Sequence, residues 1–210
     1  MNSKKRISEI IKRLKKEYPK PKTALNFKLP FELLVATILS AQTTDAHVNK
    51  VTDSLFKKYT SVKDYAVASP EAFQKDLSSI NFYKTKAKNI QGAAKMIVEE
   101  YKSTVPNTMD ELTRLPGVAR KTANIILSNA YGIHEGIAVD THVKRLAYKL
   151  GLTKHEDPVK IEKDLMAIAP KNEWGTLSHL LIFHGRKICL AKKPKHEACV
   201  LYDICPSKDI

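Results

Sequence analysis

Leu115-Pro116-Gly117-Val118-Ala119-Arg120-Lys121-Thr122-Ala123-Asn124 is the stretch that decides how the rest of the chain is read. Proline fixes φ and glycine permits φ > 0, so Pro116-Gly117 can reverse the chain within a few residues before Val118 and Ala119 begin a new apolar face. Upstream, Thr108-Met109-Asp110-Glu111 has capping-box spacing and predicts a short helix from Thr108 toward Leu115. Downstream, Ala119, Ala123, Ile126 and Ala130 form an apolar stripe that puts Lys121, Asn124 and Ser128 on the opposite, polar side. The expected unit is helix, hairpin, helix, over about residues 108–131. The first N–H groups of the second helix and its dipole form a phosphate-holding device. Lys121 stands in that first turn beside Arg120, either as one solvated lysine among many or as an amine placed to act as a nucleophile.

The chain has 210 residues, enough for one large domain or two small ones. Its 36 Lys and Arg outnumber 22 Asp and Glu, giving a net charge of +14. Such a charge favours a polyanionic partner, nucleic acid or an anionic membrane surface, with binding that weakens as salt rises. No stretch approaches the roughly 18 apolar residues of a membrane span. Lys4, Lys5 and Arg6 lead into a lysine-studded helix rather than a signal peptide, so a cytoplasmic, intracellular protein is expected. All three cysteines, Cys189, Cys199 and Cys205, lie near the C-terminus, and such an odd, clustered set points to a metal site before disulfides.

Helical periodicity runs through the whole chain. Ile7, Ile10, Ile11, Leu14 and Tyr18 share one face, with Lys12, Arg13, Lys15 and Lys16 opposite. Pro30 introduces an apolar run, Phe31 to Leu39, that reads as a buried helix and ends in Ser40-Ala41-Gln42-Thr43-Thr44-Asp45. Further helices are marked by Val48, Val51, Leu55 and Tyr59, by the cap Ser69-Pro70-Glu71, and by Ala87, Ile90, Ala94 and Ile97. After a loop bracketed by Gly132 and Gly136, Asp140 opens a helix that ends at Gly151, and Pro158 to Ile168 and Trp174 to Phe183 complete the pattern. No segment shows sustained period-two alternation, so the expected fold is all-α, about ten helices, with boundaries near Lys22 and Gly132.

Five blocks in order resemble the endonuclease III family of helix-hairpin-helix DNA glycosylases: Leu39 to Asp45, Tyr83 to Ile90, Leu115 to Asn124, Val139-Asp140-Thr141-His142-Val143, and His184-Gly185-Arg186, followed by the cysteine-rich tail. The resemblance implies a six-helix barrel domain over residues 23–132, and a second helical domain built from residues 1–22 and 133–210 that carries a C-terminal metal-cluster loop over residues 189–205. It implies a monomeric base excision repair enzyme that removes damaged, oxidised pyrimidines from double-stranded DNA and cleaves the abasic strand. Lys121 matches the family's Schiff-base nucleophile and Asp140 its essential carboxylate, although Asp140 also reads as an ordinary helix cap.

Gln42 and Phe82 match the positions that fill the gap left by a flipped nucleotide. Phe82, preceded by Asn81, departs from the glycine–leucine pair of many relatives, and on its own it could equally be a core aromatic. Gly117, Ala119, Arg120 and His142 match DNA-facing positions, with Ala119 standing where a second glycine is common. The family's C-x6-C-x2-C-x5-C spacing is kept as Cys189, His196, Cys199 and Cys205. A 4Fe-4S cluster with three cysteines and one histidine is therefore implied, and the same donors would also suit a zinc ion. Lys192, Lys193 and Lys195, between the first two ligands, would face phosphates. Two other readings stay open: a glycosylase for mismatched uracil or thymine, and a non-catalytic, metal-stapled DNA-binding module.

Overall fold

The computed structural model describes residues 2–208. Among them there is no strand, and no helix is long and apolar enough to cross a membrane. The chain divides into two compact units, Thr23–Ile133 on one side and, on the other, the residues up to Lys22 together with those from His134 onward.

The unit Thr23–Ile133 is built around α2, Pro30–Leu39, in which eight of ten residues are buried. Pro30 supplies the first-turn φ, and Glu32 reaches back to accept the N–H of Leu29 at 3.2 Å. Around it lie α3 (Asp45–Lys58), α4 (Val62–Val67), α5 (Pro70–Asp76), α6 (Tyr83–Glu100), α7 (Met109–Arg114) and α8 (Arg120–Ile126). These are seven helical segments where the resemblance implies six. The difference lies in the pair of short helices α4 and α5, both packed on α6. Helix α4 is too short to show periodicity of its own in the sequence, and its sign there is the capping box that Ser61 and Asp64 close at its start. Phe31, Tyr59, Tyr65 and Phe73 fill the space between these elements with edge-on and tilted ring contacts at 5.0–5.7 Å, each worth about 0.5–1.5 kcal/mol beyond its burial.

The C-terminal end of α2 presents carbonyls that no helical N–H can reach. Lys86 on α6, only 5% exposed, supplies the donors: its Nζ donates to Leu39 O at 2.8 Å, Ala41 O at 2.6 Å and Thr43 Oγ1 at 3.3 Å. The positive head sits where the helix dipole is negative, although burial holds the ammonium below the usual lysine range.

The other unit contains α1 (Ser3–Glu17), α9 (Thr141–Lys149), α10 (Pro158–Ile168) and α11 (Trp174–Lys187). Ile7, Ile10, Ile11 and Leu14 of α1 are buried, and the helix packs on α10 and α11. Arg13 ties the same helix to the C-terminal segment, donating to Val200 O at 3.0 Å and forking onto the Asp203 carboxylate. Gly151, at φ 63°, ends α9 where an added Cβ would lie 2.8 Å from Arg6 and 3.2 Å from Pro206. First helix, α9 and tail meet at this glycine, whose left-handed φ itself disfavours a side chain.

Replacing Lys86 with methionine keeps the stem but leaves the three acceptors without their buried donor. The expected loss is about 2–4 kcal/mol of unfolding free energy, read from urea denaturation followed by circular dichroism.

Candidate nucleic-acid interface and metal centre

The helix-hairpin-helix forms as its residues dictate. Thr108 caps α7 by accepting the Glu111 N–H at 3.3 Å, and its hydroxyl donates to the Glu111 carboxylate at 2.7 Å. The chain turns at Pro116-Gly117, with Val118 N donating to Leu115 O at 3.1 Å, and enters α8 at Arg120. Gly117 has φ 78°, and an added Cβ would stand 2.9 Å from the Asn89 Cβ, so both backbone and neighbour require glycine. Ala119 is the extended cap residue of α8 and is exposed, as are Arg120 and Lys121.

Two expectations of the apolar stripe are overturned. Ala119 lies outside the core, because it precedes the helix instead of belonging to it. Asn124, expected on the outer face, is 4% exposed, because α8 packs against both α2 and α7 and so buries more than one stripe. Beyond Ile126 the helix widens into a π-helical turn, Leu127–Tyr131, which Gly132 ends at φ 66°.

Gln42 and Phe82 come together in the same unit. Both are non-glycine residues at left-handed φ, 55° and 57°, a conformation that costs roughly 1–2 kcal/mol each. Both side chains belong to exposed residues, and Phe82 is 65% exposed, which overturns its alternative reading as a core aromatic. Asn81 Nδ2 donates to Gln42 O at 2.6 Å and links the two turns.

In the other unit, Asp140 is the cap of α9, its Oδ1 accepting the Val143 N–H at 2.8 Å. His142 is the second residue of that helix. Burial holds its imidazole below the usual histidine range, and the charges of Arg145 and Arg186 add to this while Asp140 opposes it. His179, unremarked in the sequence, also feels the Asp140 charge, and burial likewise holds it low. Arg145, equally unremarked, is the hub of this region. Its Nη2 donates to Gly185 O and to Cys189 O, each at 2.9 Å, and approaches His142 Nδ1 at 3.2 Å. Its position one turn after His142 was visible in the sequence, but its acceptors, backbone carbonyls some 40 residues away, were not.

Cys189, His196, Cys199 and Cys205 all line one cavity, whose wall includes Leu146, Leu150 and His184. The cysteines are free and half-buried. Burial pushes the Cys189 and Cys199 thiols up, against the charges of Lys149 and Arg145 at Cys189 and the Leu201 backbone hydrogen bond at Cys199. His184 is 2% exposed; its Nδ1 faces the Tyr18 hydroxyl at 3.3 Å and its Nε2 lies 3.4 Å from Cys199 Sγ. Lys195 borders the cavity, and Lys192, Lys193 and Lys195 are all exposed.

Among the described residues no three histidine, cysteine or acidic side chains converge closely enough for a single ion. Three thiols and an imidazole lining one cavity are a donor set that fits an iron–sulfur cluster, which takes each ligand on its own iron.

Residues 35–171 match the HhH-GPD superfamily of base excision DNA repair proteins, which defines the class of this chain. Residues 189–205 match the iron–sulfur binding domain of endonuclease III. The chain is 50% identical to endonuclease III of Synechocystis sp., over 98% of this chain and 94% of that protein. It is 48% identical to that of Bacillus subtilis, over 90% and 86%. A solved structure of an endonuclease III–DNA covalent intermediate superposes with a TM-score of 0.92 at 43% identity, covering 99% of this chain and 98% of that one. The chain belongs to the endonuclease III family, and its C-terminal segment is an iron–sulfur binding segment.

Gly117→Ala forces a left-handed alanine against Asn89. It is expected to destabilise the protein by at least about 1–2 kcal/mol in urea unfolding, and to weaken duplex binding in a fluorescence anisotropy titration.

Proposed function

We propose that the base excision chemistry of this chain, DNA glycosylase followed by abasic-site lyase, is carried by Lys121 as nucleophile and Asp140 as the essential carboxylate. The observation that carries this reading is an exposed lysine in the first turn of the helix that follows the Pro-Gly hairpin, in a chain whose relative has been trapped covalently on DNA. The lysine nitrogen attacks C1′ of the extruded nucleotide and the glycosidic bond breaks, its electron pair leaving with the base. The lysine nitrogen, having given one proton to the departing base, then expels O4′, which takes a proton as the C1′–O4′ bond opens, and the protonated imine so formed draws electrons from C2′. Loss of a C2′ proton expels the 3′ phosphate by β-elimination, and water then releases the lysine.

Asp140 has one oxygen committed to capping α9, and the carboxylate offers a second to the positive charge that develops on the sugar. Gln42 and the exposed ring of Phe82 fill the place of the extruded nucleotide, and Gly117, Ala119 and Arg120 face a phosphate at the start of α8. The substrate class is a damaged, oxidised pyrimidine in double-stranded DNA.

Cys189, His196, Cys199 and Cys205 hold the iron–sulfur cluster. When bound, it staples the C-terminal loop, and through that loop Lys192, Lys193 and Lys195 are presented to the DNA backbone as fixed cations. Three thiolates and a neutral imidazole leave the site one negative charge poorer than four thiolates would, in a chain that already carries +14.

Borohydride reduction on a duplex with one abasic site is expected to give a covalent complex with the parent protein and none with Lys121→Gln, while both bind the duplex. Trapping that survives in Lys121→Gln would remove the lysine from its role. His196→Ala is expected to lose most of its iron and its visible absorption, with His196→Cys restoring both. An unchanged iron content in His196→Ala would exclude His196 as a ligand.

A further inference from the structure

Gln42 and Phe82 sit in two turns that are far apart in sequence, one after α2 and one before α6, yet three side chains bind the turns across the gap. Asn81 Nδ2 donates to Gln42 O at 2.6 Å. Lys86 Nζ donates to Ala41 O at 2.6 Å, and His47 Nε2 donates to Ser79 O at 3.0 Å. Each of the three lands on a backbone carbonyl of the opposite partner, so each fixes main chain rather than a side-chain rotamer. Left-handed backbone at two non-glycine residues persists only where the surroundings over-determine it, and these bonds do so.

Asn81 holds a special place among the three. Its side chain is bonded to one left-handed residue, Gln42, while its own carbonyl carbon is joined to the nitrogen of the other, Phe82. A displacement of either residue is passed to the other through one side chain. Lys86 and His47 act further back, on Ala41 and Ser79, and anchor the two turns to helices.

We infer that Asn81 is a positioning residue that couples Gln42 and Phe82, so that the two enter the duplex as one two-pronged unit. This rests on the reading that both fill the space of an extruded nucleotide. Coupled prongs are pre-organised together: removing either one costs most of what the other contributes, because the pair pays for opening the stack jointly. Uncoupled prongs would each contribute independently.

The test is a double-mutant cycle on affinity for a duplex carrying a tetrahydrofuran abasic-site analogue, which the lyase cannot cleave. Affinity is measured for the parent, Gln42→Ala, Phe82→Ala and the double variant, then for the same four in an Asn81→Ala background. In the parent background the double variant is expected to lose less affinity than the product of the single losses, by about fivefold. In the Asn81→Ala background the losses are expected to multiply. Asn81→Asp, which cannot donate to a carbonyl from its carboxylate, is expected to behave like Asn81→Ala.

A purely structural role would shift the melting temperature and all four affinities alike and leave the coupling intact, which would overturn the inference. Independent losses in the parent background would overturn it as well, while leaving the gap-filling reading in place. If neither Gln42→Ala nor Phe82→Ala weakens binding, the gap-filling reading fails first and the inference falls with it.

Discussion

Lys86 brings a cation into a place where the chain has already buried almost everything apolar it could. Helix α2 is enclosed along most of its length, so its last carbonyls cannot turn to water, and a helix ending in that position requires donors from elsewhere in the fold. Lys86 provides them from the first turn of α6, and the price is a charged group held at 5% exposure. The ammonium fixes more than the helix end. The same three bonds set the path of Ala41, Gln42 and Thr43, and the helix that carries the lysine begins directly after Phe82. A deeply buried helix and two left-handed residues of the unit are thus organised by one side chain.

The helical character of the chain was legible because helices of this kind are written in local periodicity. Ile7, Ile10, Ile11 and Leu14 declare α1, Thr108 with Glu111 declares the start of α7, and Pro116-Gly117 declares the turn that follows. What stayed hidden depends on partners distant in sequence. The burial of Asn124 reflects two helices packed on α8 instead of one, and no window around residue 124 encodes the second. Lys86 lies on the same face as Ile90 and Ala93, and a lysine at that register was the available sign of an unusual environment. For Phe82, sequence alone could not separate a core ring from an exposed one, because the left-handed backbone that turns it outward is imposed by bonds to residues about 40 positions earlier.

The metal end of the molecule is held by connections that need no metal. Arg13 grips the segment between Cys199 and Cys205, Arg145 grips the carbonyl of Cys189, and His184 stands against Cys199 with Tyr18 behind it. The cysteine spacing was plain in the sequence, while these supports join α1, α9 and α11 to the loop and appear only once the helices are packed. Arg145 also reaches the neighbourhood of Asp140 through His142, so the carboxylate's helix and the first cysteine share a common brace.

The unit that carries Asp140 and the cysteines is discontinuous: it begins with α1 and closes only with α11 and the tail. A ribosome making roughly 5–20 residues per second finishes α1 and then spends on the order of 10–30 s before α11 has emerged. Through most of that interval the apolar face of α1 lacks both α10 and α11, while the residues that form the intervening unit are free to fold. The lysines on the outer face of α1 then serve the newborn chain before they serve the finished protein, keeping a waiting amphipathic helix in solution until its C-terminal half arrives.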